Sequence, residues 1–166
     1  MPKPLTIATP GDRQIVVTRS FDAPRDLVFL CYSKPELLRR WYGMPDWTTH
    51  ICEIDFRIGG KWRLGQRSPD GYELASQGLY TDIVAPERIE QTEYYDDNWT
   101  QGGTVNVLTL AEDSGRTTAT MTITFTCPEA RTAAAASPMT TGMEIRFSRL
   151  DTLHAAAQPT PPANLQ

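Results

Sequence analysis

The stretch EIDFRIGGKWRL, residues 53–64, alternates apolar and polar side chains like a β-strand, yet two consecutive glycines interrupt it. Glycine within a strand pattern usually marks a bulge, a sharp bend or a close approach of another segment of backbone. Phosphate binding is disfavoured, because the pair neither opens a helix nor carries the Lys and Ser or Thr of a nucleotide-binding loop. We therefore predict that Gly59 and Gly60 bend a long strand, so that Trp62 returns to the inner side of a curled sheet.

On both sides of this stretch, the spacing of apolar residues predicts a sheet. The segment 13–21 is rich in β-branched residues and alternates at period two, which predicts the first strand. Further strands are predicted over residues 50–58, 61–68, 72–84, 87–95, 103–111 and 116–126. Short turn-forming sequences separate these strands, so their order favours an antiparallel meander.

Apolar residues at helical spacing predict four helices. Two short helices are expected over residues 22–32 and 33–42, and an alanine-rich one over 128–137. The last helix, 137–157, is the longest. Its apolar stripe consists of Met139, Met143, Phe147, Leu150 and His154. A stripe of this kind predicts that the last helix packs against the sheet.

The composition is that of one globular domain rather than of a disordered chain, because the 166 residues are 40% hydrophobic and 22% charged. We expect an α+β domain at 13–157, between a flexible N-terminal segment, 1–12, and a flexible proline-rich tail, 158–166. The net charge of −4 disfavours nucleic acid as a partner. No apolar run approaches the ~20 residues of a membrane span, so we expect a cytoplasmic protein that does not bind membranes.

Five segments, in their order and spacing, resemble the bacterial single-domain homologues of the activator of heat-shock protein 90 ATPase. That family belongs to the START-like (SRPBCC) superfamily, which also includes polyketide cyclases. The segments are RSFDAPRDLVF (19–29), KPELLRRWYG (34–43), CEIDFRIGGKWRL (52–64), GLYTDIVAPERIEQTE (78–93) and SPMTTGMEIRFSRLDTL (137–153). The resemblance covers about residues 13–156, and its most specific parts are the Asp-x-Arg-x-Gly-Gly-x-Trp run at 55–62 and Pro-Glu-Arg at 86–88.

The resemblance implies a helix-grip fold, in which a curved antiparallel sheet of about six to seven strands surrounds a long C-terminal helix and leaves a cavity between them. The last helix departs from many relatives, because Gly142-Met143-Glu144 runs almost directly into the segment 147–150. About one helical turn is missing at this point. We therefore expect a shorter helix and an altered cavity wall.

The cavity is the expected ligand site, and apolar, aromatic and methionine side chains are expected to line it. The candidates are Trp41, Tyr42, Trp47, Phe56, Trp62, Tyr80, Tyr94, Trp99, Met139, Met143 and Phe147. Tyr95 is an alternative to Tyr94 on the same strand. Aromatic residues also fill ordinary cores, so about half of these candidates are expected to serve in packing only.

Glu93 is the one catalytic candidate. It lies in phase with Ile89, on what the spacing predicts to be the buried face of its strand. A carboxyl group in an apolar pocket has its neutral form favoured, and such a group can act as an acid or a base. Gln91 shares this phase, so a plainly polar face is the competing interpretation.

No metal or other cofactor is predicted. His50 and Cys52 lie two residues apart on one strand, but no Cys-x-x-Cys or His-x-x-x-His pattern accompanies them, and zinc needs three or four ligands. Hydrolase chemistry is also disfavoured, because the sequence has only two histidines and no Gly-x-Ser-x-Gly motif.

The sequence favours a binding module over an enzyme. Its expected partner is a small apolar or aromatic molecule, its expected role is stress response, carriage or sensing, and its expected state is a monomer or a homodimer. One alternative is a cyclase-like enzyme that uses Glu93 with Tyr80 or Tyr94. Another is a chaperone-interacting protein. In the eukaryotic activators a separate chaperone-binding domain precedes this one, whereas only about twelve residues precede the first predicted strand here.

Overall fold

The computed structural model describes residues 5–158, which form eight strands and four helices. The strands are β1 (Thr6–Ala8), β2 (Gln14–Phe21), β3 (Thr48–Ile54), β4 (Lys61–Arg67), β5 (Glu73–Val84), β6 (Arg88–Tyr95), β7 (Thr104–Asp113) and β8 (Arg116–Thr124). The helices are α1 (Arg25–Ser33), α2 (Pro35–Trp41), α3 (Pro128–Ala135) and α4 (Met139–Ala157). Seven of the strands and all four helices lie within a few residues of predicted elements. None of the helices in this described part combines the length and hydropathy needed to cross a bilayer.

All eight strands belong to one antiparallel sheet with the order β1-β2-β8-β7-β6-β5-β4-β3. From β3 to β8 the chain runs as a meander, and β8 then pairs with β2. The two short helices α1 and α2 therefore connect β2 with β3 at the opposite end of the sheet. The sheet is curved and open, and together with α4 it forms the helix-grip fold that the resemblance implied.

Alternation along β2 shows which face of the sheet is covered. Ile15, Val17, Arg19 and Phe21 are buried, and the residues between them are partly exposed. The ring of Phe21 packs edge to face on Phe147 of α4, with 5.6 Å between the ring centroids. The sheet therefore buries its apolar face beneath the last helix.

The last helix, α4, packs differently along its length. In its C-terminal half Leu150, Leu153 and His154 are buried. Nearer its N-terminus, Met139 and Met143 are only partly buried. The predicted apolar stripe is present, but only its second half fills the core. The first half faces the cavity described below.

The glycine pair does not bend a continuous strand, so that prediction is wrong. Gly59 and Gly60 lie in the connection between β3, which ends at Ile54, and β4. Gly59 has a φ of +84°, and a Cβ atom on Gly60 would lie 1.9 Å from the backbone oxygen of Asp55. The pair is therefore required by a tight turn and a close backbone approach. Period-two alternation continues into the turn because Phe56 still packs inward, against the rings of Phe29 and Tyr80.

One strand was not predicted. β1 lies in the segment 1–12 that we expected to be flexible, and it pairs with β2 in a register that places Thr6 opposite Thr18. Its three residues are all exposed, so no apolar alternation marks it in the sequence. The predicted tail, 158–166, lies outside the described residues except for Gln158, whose amide nitrogen donates a hydrogen bond to the backbone oxygen of Asp22 at 2.9 Å.

Candidate functional site

A cavity of about 470 Å³ lies between the sheet and the N-terminal half of α4. Its wall takes side chains from α2, from the loop after α2, from β4 to β8 and from α4. This volume falls within the roughly 300–1,000 Å³ that small-molecule pockets occupy. The fold therefore provides a space of ligand size between sheet and helix.

Most of the predicted site residues are brought together in the wall of this cavity. Eight of the eleven candidates line it: Trp41, Tyr42, Trp47, Trp62, Tyr80, Trp99, Met139 and Met143. They come from the second helix, the loop after it, three strand or loop regions and the last helix, so their meeting depends on the tertiary fold. Their role in binding a ligand stays a prediction.

Three candidates do not line the cavity. Phe56 fills the core between Phe29 and Tyr80, with ring centroids 5.6 and 5.0 Å away. Phe147 packs on Phe21 in the same way, and it too is absent from the wall. Tyr94 is 54% exposed, and Tyr95 faces the cavity instead. Strand alternation explains this correction, because Tyr95 shares the face of Glu93 whereas Tyr94 lies on the other.

Glu93 lies in the wall, as its phase with Ile89 predicted. Its Oε1 accepts a hydrogen bond of 3.1 Å from the side-chain amide nitrogen of Asn106. The amide oxygen of Asn106 accepts a second bond, of 3.0 Å, from the hydroxyl of Thr104, which orients the amide with its nitrogen toward the carboxyl group. Burial raises the pKa of Glu93, and Asn106, Ser76 and Arg146 only partly oppose that rise.

Arg146 brings a cation to the same cavity. It lies on α4, and its guanidinium carbon stands 4.3 Å from the centroid of the Tyr42 ring. Burial alone would lower the pKa of Arg146, but Tyr42, Tyr95 and Glu93 raise it above its usual value, so the guanidinium stays charged. Sequence reasoning missed this residue. The signal was its position three residues after Met143, which places both on one face of a helix.

The two tyrosines beside this pair are neutral hydrogen-bonding groups at physiological pH. Burial raises the pKa of Tyr42, and the charge of Arg146 only partly offsets this effect. Burial also raises the pKa of Tyr95, and the neighbouring Glu93 raises it further. Glu93, Arg146 and the two phenols form a polar group in a wall that is otherwise mostly apolar.

Three buried polar atoms of the wall have no hydrogen-bond partner among residues 5–158. They are the Nε1 of Trp62, the Oε1 of Gln66 and the Nε of Arg146. Trp62 and Gln66 are 3% and 2% exposed, so water reaches neither side chain freely. Leaving such an atom unpaired costs about 1–3 kcal/mol, and native proteins rarely keep several without a reason. These atoms are buried within the wall rather than exposed to the cavity space, so they lie behind the surface that a ligand would contact.

His50 and Cys52, two residues of β3 whose side chains could bind a metal, contact other groups of the protein. The Nε2 of His50 lies 3.9 Å from a carboxylate oxygen of Glu73, and the thiol of Cys52 donates to the backbone oxygen of Pro35 at 3.6 Å. Within the described range 5–158, no group of three or more His, Cys, Asp or Glu side chains is placed to hold a metal ion.

Comparison with known proteins gives the same architecture. A model of the family described as Activator of Hsp90 ATPase homolog 1-like protein matches residues 22–155. A crystal structure of a protein from Rhodobacter sphaeroides is 29% identical, with a TM-score of 0.87, over 92% of this chain and 99% of that one. No curated protein matches this chain.

Two further solved structures are similar over nearly their whole length. A protein from Staphylococcus epidermidis is 26% identical, with a TM-score of 0.79, and the match covers 96% of this chain and 99% of that one. A protein from Mycobacterium smegmatis is 23% identical, with a TM-score of 0.82, over 94% and 100% of the two chains. The fold is therefore shared at low sequence identity.

Proposed function

The chain belongs to the family of Activator of Hsp90 ATPase homolog 1-like proteins, and from this membership and its cavity we propose that it binds a small, largely apolar or aromatic molecule between the sheet and α4. The fold is consistent with ligand binding in general. Binding without turnover is the task of a carrier or a sensor, and this is the role we assign.

The composition of the wall is the observation that supports this proposal most strongly. Trp41, Trp62 and Tyr80 present flat apolar surfaces, and Met139 and Met143 close the space from the helix side. Aromatic faces suit aromatic ligands, and unbranched methionines adapt to irregular shapes. These three aromatic residues also belong to the packed core, but a core filled throughout leaves no space of ligand size, whereas a cavity of about 470 Å³ remains here between the sheet and α4.

The experiment that tests this function is a titration with a neutral aromatic probe, N-phenyl-1-naphthylamine. Neutrality matters, because a charged probe would also report on surface charges. We expect saturable binding at about one probe per chain, with probe emission rising and tryptophan emission falling as energy passes from the wall to the probe. A signal that rises without saturation, or no signal from the folded protein, would refute a ligand-binding cavity.

A cyclase-like or other enzymatic activity in the same cavity is supported by one observation, the carboxyl group of Glu93. Burial raises its pKa toward the range in which general acids and bases work. Tyr95 is a phenolic neighbour of Glu93, whereas Tyr94 is exposed on the other face of the strand. Native mass spectrometry of protein from its own host would identify a retained molecule. Conversion of that molecule by the wild type and not by Glu93→Gln would establish an enzyme.

A further inference from the structure

We propose that the ligand carries a carboxylate, that this carboxylate pairs with Arg146, and that its binding is accompanied by uptake of a proton by Glu93. The inference rests on the proposed function, because it assigns the chemical class of the molecule that the same cavity binds. Arg146 is a charged group in a mostly apolar pocket, so the pocket favours an aromatic carboxylate over an uncharged aromatic molecule.

The geometry of Arg146 provides the first step. Its Nε is buried and has no hydrogen-bond partner among the described residues, and no ion pair within residues 5–158 includes its guanidinium. The guanidinium carbon lies 4.3 Å from the centroid of the Tyr42 ring, and Tyr42 is also its hydrogen-bonding neighbour. Arginine has five N–H donors and Arg146 lines the cavity, so donors remain for another partner. The planar fork of arginine matches a carboxylate with two parallel hydrogen bonds.

The neighbours of Arg146 on α4 provide the second step. Met139 and Met143 precede it on the cavity side of the helix, and Gly142 leaves open space between them and the sheet. An aromatic body lying along these residues places an attached carboxylate next to Arg146. Because the surroundings are apolar, a charge pair formed there is stronger than the same pair in water.

The hydrogen-bonding neighbours of Glu93 favour an anionic ligand over a cationic one. Its carboxyl group accepts a hydrogen bond from Asn106 on β7, and the hydroxyls of Ser76 on β5 and Tyr95 on β6 stabilise its charged form, which lowers its pKa. Glu93 is therefore surrounded by donors, whereas Arg146 has five N–H donors and Tyr42 as its hydrogen-bonding neighbour, so it has donors to spare. A ligand gains more by offering an acceptor to Arg146 than by offering a donor to Glu93.

Proton uptake follows from charge balance. The groups that face Glu93 are Asn106, Ser76, Tyr95, Tyr42 and Arg146, and Arg146 is the cation among them. When a ligand carboxylate joins this group, two carboxylates share one guanidinium, and such pairs retain a proton. Burial already raises the pKa of Glu93, so Glu93 takes that proton from solvent. The remaining charged residue of the wall, Asp97, is exposed and accepts a bond of 3.0 Å from the hydroxyl of Tyr72.

The first test compares 2-naphthoate with 2-naphthalenemethanol, which have the same ring system and differ in charge. We expect Arg146→Met to weaken binding of the carboxylate by about tenfold or more, and to change binding of the alcohol by less than about threefold. Arg63→Met is the matched control, because it removes the same charge from a residue on β4 that pairs with Asp96 outside the cavity. Thermal melts and the alcohol affinity report whether each variant is folded.

The second test measures whether the protein takes up a proton when 2-naphthoate binds. Affinity of the wild type for 2-naphthoate is expected to rise as the pH falls from about 8 to about 6, a range in which the probe itself stays ionised. Calorimetry in two buffers of different ionisation enthalpy is expected to show net proton uptake on binding. Glu93→Gln should remove both effects and tighten binding at about pH 8, since no second carboxylate then competes for Arg146. Glu144→Gln, on the exposed side of α4, should change neither.

Each contrary outcome has a distinct meaning. Equal binding of the two probes, unaffected by Arg146→Met, would overturn the carboxylate assignment and leave the proposed function standing. Tighter binding of 2-naphthylmethylamine, lost in Glu93→Gln, would show a cation site and overturn the assignment as well. Failure of all three probes to bind the folded wild type would overturn the proposed function too. If Arg146→Met does not fold, Arg146→Lys decides, because it keeps the charge and loses the planar fork.

Discussion

Arg19 of β2 and Asp151 of α4 form a two-pronged ion pair, with nitrogen–oxygen distances of 2.7 and 2.5 Å. The side chain of Arg19 is 3% exposed, and its guanidinium carbon also lies 4.7 Å from the centroid of the Phe21 ring. The pair joins the C-terminal half of the helix to the inner face of the sheet. The N-terminal half, which carries Met139 and Met143, is left to form the cavity wall.

Loss of this pair is expected to destabilise the fold. Asp151→Asn should lower the free energy of unfolding by about 3 kcal/mol, because a buried guanidinium then lacks its carboxylate. Asp55→Asn is the control, since Asp55 pairs with Arg57 at 2.8 Å on the exposed surface, and should cost less than about 1 kcal/mol. Urea denaturation measures both. Two equally small losses would show that the pair does not anchor α4.

The two turn glycines are expected to differ in their tolerance of a methyl group. In Gly60→Ala the new Cβ would meet the backbone oxygen of Asp55 at 1.9 Å, so the turn must rearrange, at a cost of about 3 kcal/mol. In Gly59→Ala no atom lies within 4 Å, and only the φ of +84° is strained, which costs about 1 kcal/mol. Chemical denaturation of the two variants decides, and a larger loss for Gly59→Ala would contradict the turn geometry.

Two tryptophans of the cavity wall provide a matched pair. Trp41 and Trp62 are each 3% exposed, but the indole nitrogen of Trp41 donates to the backbone oxygen of Cys31 at 2.9 Å, whereas that of Trp62 has no partner among residues 5–158. Trp41→Phe removes a donor from a buried carbonyl and Trp62→Phe does not. We expect the first to cost about 1–3 kcal/mol more than the second. Equal losses in urea denaturation would contradict the hydrogen-bond assignment.

The raised pKa of Glu93 makes stability depend on pH. The folded state holds this proton more tightly than the unfolded chain, in which the carboxyl group has its ordinary pKa of about 4.5. The contribution of Glu93 is therefore fully present below that value and is lost as the pH rises through the folded pKa. Glu93→Gln should reduce this loss of stability with rising pH. Denaturation midpoints of both proteins across this range measure the difference, and parallel curves would contradict the shift.

Most of the fold could be predicted because its signals are local. Alternation at period two marks β2 and β4 to β8, and helical spacing marks α4, since each of these elements has one buried face. β1 escaped prediction because its three exposed residues carry no such pattern. At Gly59 and Gly60 the sequence predicts a bend where the structure has a turn, because Phe56 packs inward beyond the end of its strand and prolongs the alternation.

The site could be predicted only in part, because it depends on distances between elements. Aromatic and methionine positions identified most of the wall. Alternation with Glu93 favours Tyr95 over Tyr94, and spacing from Met143 places Arg146 on the same helix face, but that these groups meet in one cavity depends on the tertiary fold. The unpartnered atoms of Trp62 and Gln66 follow from tertiary packing alone, and no spacing rule reveals them.

The most direct test of a ligand-binding cavity is the affinity of N-phenyl-1-naphthylamine for Gly142→Leu. Gly142 lies in the cavity wall within α4, and a Cβ atom there would meet nothing within 4 Å. A leucine is expected to grow into the cavity and weaken the probe by about tenfold or more. The thermal midpoint should stay or rise, because glycine within a helix costs about 1 kcal/mol. Thr141→Leu, one residue away on the exposed side, should leave the affinity unchanged. Unchanged probe affinity in a folded Gly142→Leu variant would contradict the account.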